Sequence, residues 1–149
     1  MKRILGLMLA IWMFPSIVFA GVVVKALNDS SGTAISSYLL TNGAAVYSEK
    51  IRFGNGAETA SLLVIEDKSG GAGDVDISLE YSADGTNWYP AYTTDMAGSI
   101  TVVGNLVTAL QNASRWIVFT PRLAAYMRYK FDPDADSRIT ATHLHQEAR

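Results

Sequence analysis

Alternation of apolar and polar positions is the strongest pattern in the chain. From Asp74 to Ser82 every second residue (Val75, Ile77, Leu79, Tyr81) is apolar, and those between are acidic or hydroxylic. A strand turns successive side chains to opposite faces, so this segment predicts a strand with one side in a core and the other in water. Ala60 to Ile65 is nearly continuous in apolar residues and runs towards Ser69-Gly70-Gly71-Ala72-Gly73, which predicts a buried strand and then a flexible turn. Further strands are predicted at Val22 to Leu27, Val46 to Phe53, Ser99 to Val103, Arg115 to Thr120, Tyr126 to Phe131 and Arg138 to Leu144. With Asn87 to Tyr92 as a hairpin partner, that makes nine. Ser30 to Ser37 and Met96 to Gly98 read as loops. Leu106 to Asn112 has enough helical character for one short turn.

Beyond residue 20, Val, Ile and Thr make up 28 of 129 residues, a bias towards extended backbone. The expectation is one all-β domain over residues 21–149, an antiparallel two-sheet sandwich of jelly-roll-like character, with a closed barrel as the alternative. A chain of this size buries enough surface to fold without disulfides, so the absence of cysteine needs no compensation.

The first 20 residues follow a different rule. Met1-Lys2-Arg3 is positive, Ile4 to Val18 is apolar but broken by Pro15, and Val18-Phe19-Ala20 suits a peptidase site. This predicts a signal peptide over residues 1–20, cleaved after Ala20, with an uncleaved anchor as the alternative. Export without cysteine fits a bacterial cell better than a secretory route that staples its products. The expected location is extracellular or periplasmic, with membrane contact only through the leader. The leader holds Lys2 and Arg3 and no acid, so the remainder has ten bases against fourteen acids, a net −4. A nucleic-acid partner needs a basic face and is therefore not expected.

Tyr81-Ser82-Ala83-Asp84-Gly85-Thr86-Asn87-Trp88-Tyr89 is the most informative local signal. Asp-Gly suits a two-residue type I′ turn, which would set Tyr81 opposite Trp88 and Ile77 opposite Tyr92. That register turns Trp88 into the core. The competing reading makes Trp88, Tyr89 and Tyr92 an exposed aromatic platform for sugar rings. The segment Leu79 to Trp88, together with Pro121-Arg122-Leu123-Ala124-Ala125-Tyr126-Met127-Arg128 downstream, resembles discoidin-like, galactose-binding-like sandwich domains. The same hairpin resembles sandwich domains of phage and bacterial surface appendages equally well. The resemblance implies a jelly-roll-like fold and a role in binding or assembly, and no ligand residues carry over. The chain departs from it in having no cysteine and no tryptophan between residues 21 and 87.

Three groups of residues could carry chemistry. Asp132, Asp134 and Asp136 alternate beside a turn, an oxygen-rich set that suits calcium, although Ser137 stands where a calcium loop needs Gly. A solvated acidic connection is the plainer expectation. No cofactor is expected, with structural calcium as the alternative. His143 and His145 share one strand face about 7 Å apart, within reach of one divalent ion. Lacking a third ligand, they are expected to be exposed near a fraying terminus. Asp74, Asp76 and Glu80 alternate on a polar strand face where solvated carboxylates are the rule, and Arg122, Arg128 and Lys130 are expected to pair with acids. No Gly-x-Ser-x-Gly elbow, cysteine nucleophile or phosphate loop is present.

The sequence therefore points to a non-catalytic secreted β-sandwich, a structural or adhesive protein of a bacterial extracellular or phage-like appendage. Its expected partners are further copies of itself or a surface glycan. The alternative is a carbohydrate-binding module, and a small secreted hydrolase ranks below both.

Overall fold

The structure, a computed structural model, describes residues 21–52, 60–67, 74–90, 92–94, 100–102, 105–119 and 124–147. The leader, Ser69 to Gly73, Met96 to Gly98 and Arg122 lie outside the described residues. Among the described residues thirteen strands form. They are β1 (Gly21–Ala26), β2 (Tyr38–Leu40), β3 (Val46–Tyr47), β4 (Ile51–Arg52), β5 (Ala60–Asp67), β6 (Val75–Ser82), β7 (Tyr89–Pro90), β8 (Tyr92–Thr94), β9 (Ile100–Val102), β10 (Asn105–Leu110), β11 (Ser114–Phe119), β12 (Tyr126–Pro133) and β13 (Ser137–Glu147).

Two antiparallel sheets carry the domain, and a small third pairs β8 with β9. In sheet 1 the order is β1, β13, β5, β11, with β2 joining the same edge of β13 as β1. In sheet 2 it is β10, β6, β12, β3, with β7 beside β6 and β4 beside β12. The two sheets pack as a sandwich. Alternation explains why: β5 contributes Leu62 and Val64, β6 Val75, Ile77 and Leu79, β12 Met127, Tyr129 and Phe131, and β13 Ile139 and Ala141, all buried in one cluster. The β6–β12 register sets Leu79 opposite Tyr129 and Ile77 opposite Phe131, so both strands turn their apolar side the same way.

Several local expectations are corrected. The strand expected over Val46 to Phe53 is two short pieces, β3 and β4, with Phe53 outside the described residues, and β2 was not foreseen. The region read as a helical turn is β10, whose register on β6 shifts twice, with Ala109 at φ 57°. Bulges of this kind break the period of two, so Leu106, Val107 and Leu110 fall at spacings that imitate a helix. His143 and His145 do share a face, but they are 0% and 7% exposed rather than solvated. The reason is that β13 runs on to Glu147 and is flanked by β1 on one side and β5 on the other, which makes it a central strand.

Those histidines form a polar chain inside the core. Tyr129 Oη lies 2.7 Å from His143 Nδ1, and His143 Nε2 lies 3.1 Å from His145 Nδ1. Tyr129 belongs to sheet 2 and His143 to sheet 1, so the chain ties the sheets together. Burial, with His145 and Lys25 adding like charge, holds the His143 imidazole down at about 4, and burial pushes the Tyr129 phenol up. Both groups stay neutral at pH 7, as a buried chain of neutral donors and acceptors requires.

Candidate functional site

The bend at residues 83–87 is built by one side chain. Asp84 Oδ1 accepts hydrogen bonds from Ser82 Oγ (3.0 Å), Thr86 N (2.8 Å) and Asn87 N (2.8 Å), and its Oδ2 accepts from Asn87 Nδ2 (2.8 Å). Ser82 Oγ in turn accepts from Gly85 N (2.8 Å). These donors, the Asn87 and Thr86 amides first, hold the Asp84 carboxyl far below the usual range. Gly85 takes φ 73°, a left-handed conformation that suits glycine, with its α-carbon close to the Tyr126 ring.

This wider bend changes the register. Tyr81 faces Tyr89, and Glu80 faces Pro90. The two-residue turn is therefore overturned, and with it the core position of Trp88. Trp88 is half-buried on the outer side of sheet 2, where the Arg128 guanidinium lies 4.4 Å from its ring and 4.1 Å from that of Tyr47. Glu80 completes the arrangement: its Oε2 is 2.7 Å from Arg128 Nε and 2.5 Å from Nη2. A planar cation between two aromatic faces, with a carboxylate in its plane, satisfies both its charge and its surface. Lys130 pairs with Asp132 at 2.6 Å on the same face, so the expected pairing with acids holds for Arg128 and Lys130, Arg122 lying outside the described residues.

Beside Trp88 opens a cleft of about 640 Å³, walled by Asp29 to Gly32, Ser48 to Lys50, Gly85 and Arg128. Its far wall is fixed by Asp29, whose Oδ1 accepts from Ser31 N (2.9 Å), Ser31 Oγ (2.7 Å) and Thr33 N (2.8 Å), while Oδ2 accepts from Tyr38 Oη (2.9 Å). The Ser31 hydroxyl, above all, draws the Asp29 carboxyl down to about 2 against the opposing effect of burial. Glu49 is held by Lys25 Nζ (2.9 Å) and Asn28 N (3.1 Å).

The other candidate residues do not converge. Tyr89 is 62% exposed but alternates with Trp88 along the chain, so the two share no platform. The Tyr92 backbone lies in β8, and its side chain is outside those described. Asp134 Oδ1 accepts from Asp74 N (2.5 Å), Asp136 Oδ1 from Asn42 N (2.8 Å), and Asp132 turns to Lys130. Among the described residues no group of three or more His, Cys, Asp or Glu is placed to hold a metal ion. Asp76 accepts from Ala109 N (2.8 Å) and Glu80 is taken by Arg128, so each carboxylate of that strand face has its own partner.

The outer side of sheet 1 is a second surface, which no single motif announced. Following the register across β1, β13, β5 and β11, one row reads Val24, Leu144, Ser61, Val118 and the next Ala26, Thr142, Leu63, Trp116. Val24 is 64% exposed, Trp116 60%, Val118 64% and Ile65 43%. Among the described residues, Asp67 opposite Arg138 is the only charged pair on the outward side of β5, β11 and β13. No known protein family, curated protein or solved structure matches the chain.

Proposed function

We propose that the protein is a non-catalytic, exported structural or adhesive subunit of a bacterial extracellular or phage-like appendage, and that it works by burying the outer face of sheet 1 against a second copy of itself. The observation that carries this reading is the run of Val24, Leu63, Ile65, Trp116, Val118 and Leu144 on one sheet face with its largest side chains open to solvent. Apolar patches of this kind on a soluble domain mark contact surfaces. Charge favours a copy as the occupant. Two chains of net −4 repel, but among the described residues this face balances Asp67 with Arg138 and carries no other charge, so they meet here without bringing their surplus charge together. Sheets stack face to face at about 10 Å, and a two-fold axis would make the contact self-complementary.

Light scattering on the exported protein tests the reading. The wild type is expected to run as a dimer or larger species, and Trp116→Lys with Val118→Lys as a monomer of unchanged circular dichroism. A monomeric wild type at every accessible concentration, or a double variant that still associates, overturns it.

A further inference from the structure

We infer that the cleft beside Trp88 is a binding site for a neutral carbohydrate ring. The inference is independent of self-association, because the cleft opens on sheet 2. A volume of about 640 Å³ lies in the range of small-ligand sites.

The lining selects the ligand by elimination. Asp29, Glu49, Lys50 and Arg128 are all in the lining, so the walls carry two charges of each sign. An anion would meet the carboxylates and a cation the two bases, each at a cost in repulsion and desolvation. A wholly apolar ligand would strip water from Ser30, Ser31, Ser48 and the charged groups without replacing their hydrogen bonds. What remains is a neutral molecule with hydroxyls round its rim and an apolar face. A pyranose ring has that form: its C–H face suits the Trp88 indole, and its hydroxyls suit Ser30, Lys50 and the guanidinium edge. Arg128 has five N–H donors, and Glu80 engages only two of its nitrogens, so the fork retains donors for a ligand.

The site is also preformed. Asp29 locks one wall through four hydrogen bonds, and Asp84 locks the bend that presents Trp88 through another four. Tyr47, Arg128 and Trp88 stack in a fixed order behind them. Binding would then order little that is not already ordered.

The test uses the full chain with Trp12→Phe and Trp116→Phe, which leaves Trp88 as the only indole. Neutral hexasaccharides of glucose and of N-acetylglucosamine are titrated against its emission, with a galacturonate oligomer as the anionic counterpart. A saturable shift with at least one neutral sugar is expected, together with a weak or absent response to the uronate. Ser30→Tyr fills the cleft from an exposed loop, and is expected to weaken binding by about tenfold or more, equivalent to about 1.4 kcal/mol. Tyr89→Ala, which lies off the cleft, is expected to leave binding unchanged. No shift with any neutral sugar, a response to the uronate alone, or full affinity in Ser30→Tyr overturns the inference.

Discussion

Across the outside of sheet 2, Arg128 is held by Glu80 and by two aromatic rings, Lys130 by Asp132, and Asp76 by the Ala109 amide. Across the outside of sheet 1, the corresponding positions hold Val24, Leu63, Ile65, Trp116, Val118 and Leu144. Both faces stand on strands with the same alternating inner side, so the core does not decide what faces solvent. A face whose polar groups already satisfy one another is at rest in water and can act only locally, at a cleft. A face of uncovered hydrocarbon gains about 25 cal/mol for each Å² removed from water, and so acts over its whole extent.

The comparison can be broken from the inside first, through the polar chain that ties the sheets. His143 titrates at about 4 when folded and near 6.5 when unfolded, so between these values the unfolded chain binds the extra proton. Stability is therefore full above pH 6.5 and declines as the pH falls towards 4, by about 3 kcal/mol in total. Urea midpoints measured across that interval are expected to show it, and His143→Gln to flatten the slope. A flat profile for the wild type would remove the buried histidine as a tie.

The next effect isolates sheet 2. Arg128→Ala leaves the Glu80 carboxylate half-buried without its partner and unstacks Tyr47 from Trp88, and is expected to cost about 2 kcal/mol in chemical denaturation. Adding Glu80→Gln should restore part of the loss, since the orphaned charge is then gone. Asp84→Ala removes the acceptor that gathers the bend, and is expected to lower the thermal midpoint modestly while shifting Trp88 emission to the red. An unchanged emission would mean that the bend does not position the indole. On sheet 1, Val118→Lys should change folding stability by less than about 0.5 kcal/mol, because an exposed position is replaced. Its effect belongs to association instead. Smallest of all, a chelator is expected to leave the thermal midpoint unmoved, since Asp132, Asp134 and Asp136 each turn to a different partner.

Much of the architecture was legible because period-two alternation is a direct image of a two-faced strand. The strand β6 was read from it, β5 from a continuous apolar run, and the sandwich from the number of strands and the bias towards Val, Ile and Thr. Alternation failed where backbone geometry interrupts it, as in bulged β10, or where one side chain overrides turn preference, as Asp84 does. The Trp88 error follows from that override: Asp-Gly predicts a tight turn, but a carboxylate with four donors holds a wider one and moves every later residue to the opposite face. Trp88 itself was named as a candidate from its place in the hairpin. Ser30 and Lys50, which line the cleft, and Tyr47, which stacks on Arg128, were not, because they come from segments more than 30 residues away in sequence, and no local pattern encodes that approach. The apolar outer face was hidden for another reason. In β11, Trp116 and Val118 alternate with Ile117 and Phe119, so both sides look like core and only the register shows which one is uncovered.

The place of β13 in sheet 1 bears on how the chain comes to be folded. This 11-residue strand receives β1 and β2 along one edge and β5 along the other, and Gly21 pairs with Glu147. Sheet 1 is thus completed only when β13 comes to lie beside β1, across more than a hundred residues of intervening chain. Such remote pairings assemble slowly. Among the described strands β1 and β2 pair only with β13, so both stay without a neighbour until that one remote pairing is made.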